Sequence, residues 1–426
     1  MTRGAPLPSA VGARAAGLLA LLAPIGSIGC ADPAPTYVAP DASAWSLRPT
    51  RWVPADAGSA GYALVSNSLS NSISVLDLTA GTTLATIPVG VVPLTENGPH
   101  HIAFDPREGT LFTPLSFPPA AIPAGPHAAH GSSQRAGTLV KRAASDFRLL
   151  GRVDVDANPG DLVLSPDGRR AFISHYDLRR AQANAGDREA QRSNLVVVDT
   201  RTMEVTHRIP VCVAAHGMTI SPDGSRVYMA CYGDDAMGVV TFRGAQPEVQ
   251  VIPIRTLPLN PTSPTYGPYA ITPSPDGSTV WLGCTPPSLS SGNRGLFIAF
   301  DTASMRFDAA RAFTNLIGTP YFGAYTPDGA TLIVPLQGRD AIARIALGPT
   351  PRVLAQTAVR AEDCVLPHQL SVGPDGLYYL VCEGVHDRIR QDPGTVLALR
   401  PDDLSVVRRF DVGAFPDAIT FTGALR

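Results

Sequence analysis

Six times along its 426 residues the chain runs an apolar stretch into a turn built on proline and glycine, then begins a second apolar stretch. The lines read "PHHIAFDPREGTLF" from Pro99, "PGDLVLSPDGRRAF" from Pro159 and "AHGMTISPDGSRVY" from Ala215. They continue as "PYAITPSPDGSTVW" from Pro268, "PYFGAYTPDGATLI" from Pro320 and "PHQLSVGPDGLYYL" from Pro367. A shortened seventh, "PDAITFTG", starts at Pro416. The turn prolines stand at 106, 166, 222, 275, 327 and 374, spaced 60, 56, 53, 52 and 47 residues apart. Proline presets the backbone at the second turn position, while Asp and Gly tolerate the angles that reverse the chain, so each line reads as a hairpin. A period of about 50 residues in short β-rich runs points to a propeller rather than a helical solenoid.

Each unit carries two more strand-like pieces. One is "NSISVLDL", "NLVVVDT", "AMGVVTF" or "GLFIAFD"; the other is a run such as "TLATIPVG" or "THRIPV". They are short, β-branched and bounded by turn residues. Four strands make one blade. The last unit stops after its first strand, and the segment from Tyr62 supplies three. The two ends of the repeat region then share a blade and close the ring, which removes exposed strand edges. The expected fold is all-β, a seven-bladed propeller over residues 61–426.

The composition agrees. At 44% hydrophobic and 16% charged, the chain is unlike a disordered one. A net charge of −2 with scattered Arg gives no nucleic-acid footprint. Residues 1–29 read as a signal peptide, with "AAGLLALLAPIGSI" too short for a comfortable membrane span. The stretch ends in "SIGC" and resembles a bacterial lipoprotein signal, with Cys30 as the lipidated residue; ordinary signal cleavage and an uncleaved anchor are the alternatives. Residues 30–60 form a Pro/Ala-rich tether. The expected location is extracytoplasmic, in the cell envelope, where disulfides persist.

The run "YALVSN…NSISVLDL…TLATIPVG", followed by "SPDG" turns, resembles the bacterial YVTN-type seven-bladed propellers. That group is similar to the propeller lactonases and to the propeller of nitrous oxide reductase. The resemblance spans Gly61 to Gly423 and is specific for fold; such proteins include surface-layer components, binding modules and enzymes. It implies that the strand before each turn is innermost. The residues at the channel mouth are then His100, Gly160, His216, Tyr269, Tyr321, His368 and Asp417, with His101 beside the first.

One motif is written twice, as "CVAAHGMTISPDG" from Cys212 and "CVLPHQLSVGPDG" from Cys364, 152 residues or three blades apart. Cys231 and Cys382 follow the turns. A hairpin closing around Pro222–Ser225 pairs residues whose numbers sum to 447, so His216 is expected opposite Cys231. Two local disulfides follow, Cys212–Cys231 and Cys364–Cys382, each stapling the loop that leads into a blade to an adjacent strand end. The alternative is a pair of thiolate–imidazole metal sites. Cys284 has no upstream partner and is expected to be a buried free thiol.

His100, His216 and His368 fall in blades one, three and six, close to an even triangle about the axis. Either each bonds its own loop, or the three share a copper or zinc ion. The copper cluster of nitrous oxide reductase needs many more histidines. Insertions at Thr113–Gly137, Asp177–Ser193 and Cys284–Arg294 elaborate the channel-mouth face. The first carries His127 and His130; in the second, "RRAQANAGDREAQR" suggests a short helix with solvated charges. No nucleophile elbow, His-Glu-x-x-His, haem attachment or phosphate loop is present, so no catalytic set is assigned and no cofactor is expected beyond that copper or zinc. The leading expectation is a lipid-anchored binding or scaffold module. It would take a protein or small molecule on the loop-rich face and touch the membrane only through its lipid. The alternatives are a metal-binding or redox accessory protein, and a lactonase-like hydrolase using His100, His216, His368 and Asp417.

Overall fold

A computed structural model describes residues 61–92, 95–119, 130–244, 246–254, 265–285, 295–348, 350–360, 362–385 and 392–422. The signal segment, Cys30, the tether and His127 lie outside the described residues. No helix among the described residues is long and apolar enough to cross a membrane.

The strands form seven antiparallel sheets. Blade one runs Ala103–Asp105, Thr110–Leu115, Ala136–Ala143 and Leu149–Ala157, from the inside outward. Blades two to four start at Pro159, Ala215 and Pro268, and blade six at Pro367, each with four strands in chain order. In blade five the inner strand is split into Thr319–Pro320 and Ala324–Tyr325. The seventh blade joins the two ends: Pro416–Phe421 pairs with Tyr62–Asn67, with Leu64 opposite Thr420 and Val65 opposite Ile419. The expected closure is therefore present.

Burial follows position in the blade. Thr279–Cys284, a second strand, is buried along its whole length, whereas the outer strand Thr82–Pro88 alternates exposed and half-buried. Inner strands are covered on both faces by neighbouring blades, and outer strands face water on one side. Between blades four and five, Trp281 and Phe297 pack with Leu332, Val334 and Leu336. Each large apolar side chain buried this way contributes about 1.5–3 kcal/mol. In the turns, Asp223 accepts from the Ser221 hydroxyl and the Ser225 backbone, and Gly224 takes the positive φ (+70°) that completes the reversal.

The register differs from a simple hairpin in one way that matters for the site. Met218 pairs with Met229 and Ile220 with Val227, as the sum of 447 requires. Beyond Met218 the register slips, and Cys231 faces Ala215 rather than His216. The same slip recurs after Pro159, Pro268 and Pro367. A bulge leaves residues unpaired and re-aims their side chains; here those residues include Asp161, His216, Tyr269 and His368.

Both expected disulfides are present. Cys364 lies in the loop leading into blade six, as expected. Cys212 instead lies within the outer strand of blade two, Glu204–Val213, so its disulfide ties blade two to blade three. The outer strand of blade two runs on to Val213, three residues before His216. Cys284 is a buried free thiol whose pKa is raised by burial. The second insertion forms two short helices, Leu178–Ala183 and Arg188–Gln191, with no buried residues.

Candidate metal site at the channel mouth

Six of the seven blades begin in the same way. Two positions before the ring residue the backbone is left-handed: Gly98, Asn158, Ala214, Gly267, Leu366 and Phe415 have φ between 52° and 61°. The carbonyl of that residue accepts from the first residue beyond the second strand. Examples are Tyr176 N to Asn158 O at 2.8 Å, Tyr232 N to Ala214 O at 3.3 Å and Glu383 N to Leu366 O at 3.1 Å. The chain thus turns sharply, enters the bulge and aims one side chain at the axis. Gly217, after His216, is needed for close approach, since a Cβ there would lie 2.6 Å from the Tyr269 carbonyl.

All seven ring positions are buried. Around the ring each histidine reaches the next blade rather than its own loop. His100 Nδ1 lies 2.8 Å from Gly160 O, His216 Nδ1 3.3 Å from Tyr269 O, and His368 Nδ1 2.7 Å from Asp417 O. A carbonyl only accepts, so each Nδ1 carries the hydrogen, and the neutral ring keeps its lone pair on Nε2. His101 obeys the same logic through a carboxylate, its Nδ1 lying 2.8 Å from Asp161 Oδ1. Asp161 is itself fixed by accepting from Met218 N at 2.7 Å. Nε2 of both His100 and His101 is buried without a hydrogen-bond partner among the described residues.

The ligand atoms of His100, His101 and His216 lie within 4.8 Å of one another. His130, from the first insertion, stacks on His100 with ring centres 3.8 Å apart. Burial holds the pKa of His100 well below its ordinary value, and the neighbouring His130, His101, His216 and His368 add to that. His100 is therefore held as a neutral imidazole, the protonation state that binds a transition metal.

His368 stands apart from this group. Its ring packs on Tyr321 at 4.9 Å, and its Nε2 lies 3.7 Å from Glu383 Oε1. Phe322 points inward among them, 5.4 Å from His368, 5.7 Å from His101 and 6.4 Å from His216. The expected even triangle gives way to a set with two residues from blade one and one from blade three.

An acidic half faces the imidazoles. Asp417 Oδ1 is 3.5 Å from His100 Nε2, and the Ser68 hydroxyl donates to the same carboxyl group. Burial raises the Asp417 pKa well above the ordinary range; the Ser68 hydrogen bond opposes this, and Glu383 adds to it. Glu383 accepts from Gln337 Nε2 at 3.0 Å.

Sequence reasoning missed Asp161, Phe322, Ser68, Tyr176, Tyr232 and Glu383. A signal for them exists. Asp161 and Phe322 directly follow a ring residue, as His101 does. The other four directly follow the second strand of a blade. The cavity beside His100 and His130, also lined by Ser68 and Ser116, leaves about 20 Å³ for the centre of a water-sized sphere. That is room for about one water.

No protein-family model matches the chain, and none of the curated proteins matches it. Solved structures do. The Pseudomonas aeruginosa periplasmic gluconolactonase is 18% identical, with a TM-score of 0.59 over 86% of this chain and 99% of that one. Kuenenia stuttgartiensis hydrazine synthase is 19% identical, with a TM-score of 0.54 over 78% of this chain and 91% of that one. A candidate 6-phosphogluconolactonase from Bacteroides uniformis is 14% identical, with a TM-score of 0.60 over 85% and 99%. At these identities the likeness establishes the seven-bladed propeller fold and nothing finer.

Proposed function

We propose that this chain is an extracytoplasmic metal-binding propeller that holds one copper or zinc ion through Nε2 of His100, His101 and His216. The observation that carries the reading is the tautomer assignment. Three clustered rings each have Nδ1 directed at a carbonyl or carboxylate, which places each ring's lone pair on Nε2, and one ring nitrogen from each of the three lies within 4.8 Å of the others. A hydrogen-bonded Nδ1–H is the usual outer partner of a metal-bound histidine, because it orients the ring and raises its basicity. An all-imidazole donor set suits copper and zinc, with copper the tighter. The two disulfides and the signal-like N-terminus support the location, and Cys30 would supply the lipid anchor.

The lactonase reading has similarity of fold behind it and an acid–imidazole pair, Asp417 and His100.

The test is metal content. Protein purified from an oxidising compartment, incubated with copper or zinc and then dialysed, should keep one ion per chain. His101→Ala and His216→Ala should each lose it, whereas a change at the exposed His207 should not. Retention of the ion by both ring variants, or no retained ion in the parent, overturns the proposal. Turnover of a panel of lactones by the metal-free protein would favour the hydrolase instead.

A further inference from the structure

At the far end of the inner strands from the histidines, where the Pro-Asp-Gly turns lie, a cleft of about 420 Å³ separates blades four and five. Pockets for small organic ligands run to about 300–1,000 Å³. The cleft departs from the repeat. A Cβ on Gly224 would lie 3.0 Å from Pro166 of the previous turn, and one on Gly277 2.5 Å from Pro222, so the turns of blades two, three and four abut. A Cβ on Gly329, at the same turn position in blade five, would meet nothing within 4 Å. Gly376 in blade six is open too, and blade five between them is the one whose inner strand is split.

Polar side chains are turned into this gap. In the outer strand Arg306–Phe313 of blade four, Asp308 pairs with Ala299 and Ala312 with Ile298, so residues 309–311 form a bulge. A bulge re-aims a side chain. Asp308 fixes this one, accepting from Ala310 N at 2.9 Å and from Arg311 Nε at 2.7 Å. Arg311 Nη1 donates to the buried Thr279 hydroxyl at 3.1 Å, and Nη2 has no partner among the described residues. From blade five, the Tyr325 hydroxyl accepts from Trp281 Nε1 at 2.8 Å, which leaves its own hydrogen to donate. Burial pushes that phenol up to about 12, so the hydrogen stays at neutral pH. At the rim, Asp276 and Asp328 each commit Oδ1 to their own turn and leave Oδ2 uncommitted among the described residues.

These groups select the ligand. The base of the cleft offers donors and the rim offers acceptors. Asp308 already balances the Arg311 charge, and the two rim carboxylates repel an anion. A neutral ligand whose groups both donate and accept satisfies base and rim together, and hydroxyls on a sugar ring do this. Pro275, Pro327 and Leu347 also line the cleft and give apolar surface to the C–H faces of such a ring. We propose that the cleft between blades four and five binds a neutral mono- or disaccharide through Arg311 and Tyr325 at its base and Asp276 and Asp328 at its rim. It shares no residue with the metal site and stands apart from that reading.

The test is calorimetric titration with glucose, galactose, mannose, N-acetylglucosamine, maltose and cellobiose, with acetate and glycine as charged competitors. At least one sugar should bind with a millimolar Kd or tighter and shift the nuclear magnetic resonance signal of the Trp281 indole N–H at the base of the cleft. Arg311→Gln and Tyr325→Phe should each weaken that binding about tenfold, the loss of one hydrogen bond to a ligand hydroxyl. Arg243→Gln, an exposed change on blade three, should leave it as in the parent. If Tyr325→Phe fails to fold by circular dichroism, Arg311→Gln decides. No sugar bound, undiminished binding in the folded cleft variants, or an unmoved Trp281 signal overturns the proposal. Acetate or glycine binding more tightly than every sugar overturns it as well. His216→Ala, expected to lose the metal, should bind the sugar as the parent does, so the two readings fail separately.

Discussion

Asp417 and His100 sit in contact at the axis, and burial shifts their proton affinities in opposite directions. Folded Asp417 keeps a proton that the unfolded chain releases above its ordinary value of 3.8, so the stability linked to it is lost as pH rises through the raised value. Folded His100 refuses a proton that the unfolded chain takes up below 6.5, so the stability linked to it is lost as pH falls below 6.5. For metal-free protein, Asp417→Asn should therefore raise the thermal midpoint at pH 8 and leave it nearly unchanged at pH 3. Asn keeps the shape and an acceptor for Ser68 without the cost of ionisation. A midpoint at pH 8 equal to or below that of the parent would mean that Asp417 is ionised and paired in the fold.

At the scale of strands and loops, the disulfides brace the bulges. Cys231 lies opposite Ala215, next to His216, and Cys382 lies opposite Pro367, next to His368. Removing either bridge by paired Cys→Ala changes should cost about 2–4 kcal/mol in denaturant unfolding. The effects on metal should differ: the Cys212/Cys231 variant should bind more weakly, and the Cys364/Cys382 variant should bind as the parent does, since His368 lies outside the proposed ligand set. Equal weakening in both variants would assign His368 to the metal. Much of this was legible beforehand. The spaced turn prolines located the blades, and the doubled Cys–His motif located both disulfides. What the pattern did not reveal was the bulge. It moves His216 off the Cys231 register. A two-residue irregularity leaves little mark on alternation, so neither Asp161 as the partner of His101 nor the column holding Tyr176, Tyr232 and Glu383 stood out.

For the whole molecule, ring closure brings these residues together. Leu64 pairs with Thr420, and Ser68 reaches Asp417 across the shared blade. That contact sets Asp417 against His100 of the next blade, while His216 arrives from blade three. Seven similar blades thus surround an unsymmetrical centre, imidazole on one side and acid on the other, because the ring residue differs in each repeat. The most direct test of this account is anomalous diffraction from crystals of copper- or zinc-loaded protein, collected on either side of the metal edge. The account predicts one peak on the axis, within bonding distance of Nε2 of His100, His101 and His216. A peak bound elsewhere, or none at full loading, would contradict it.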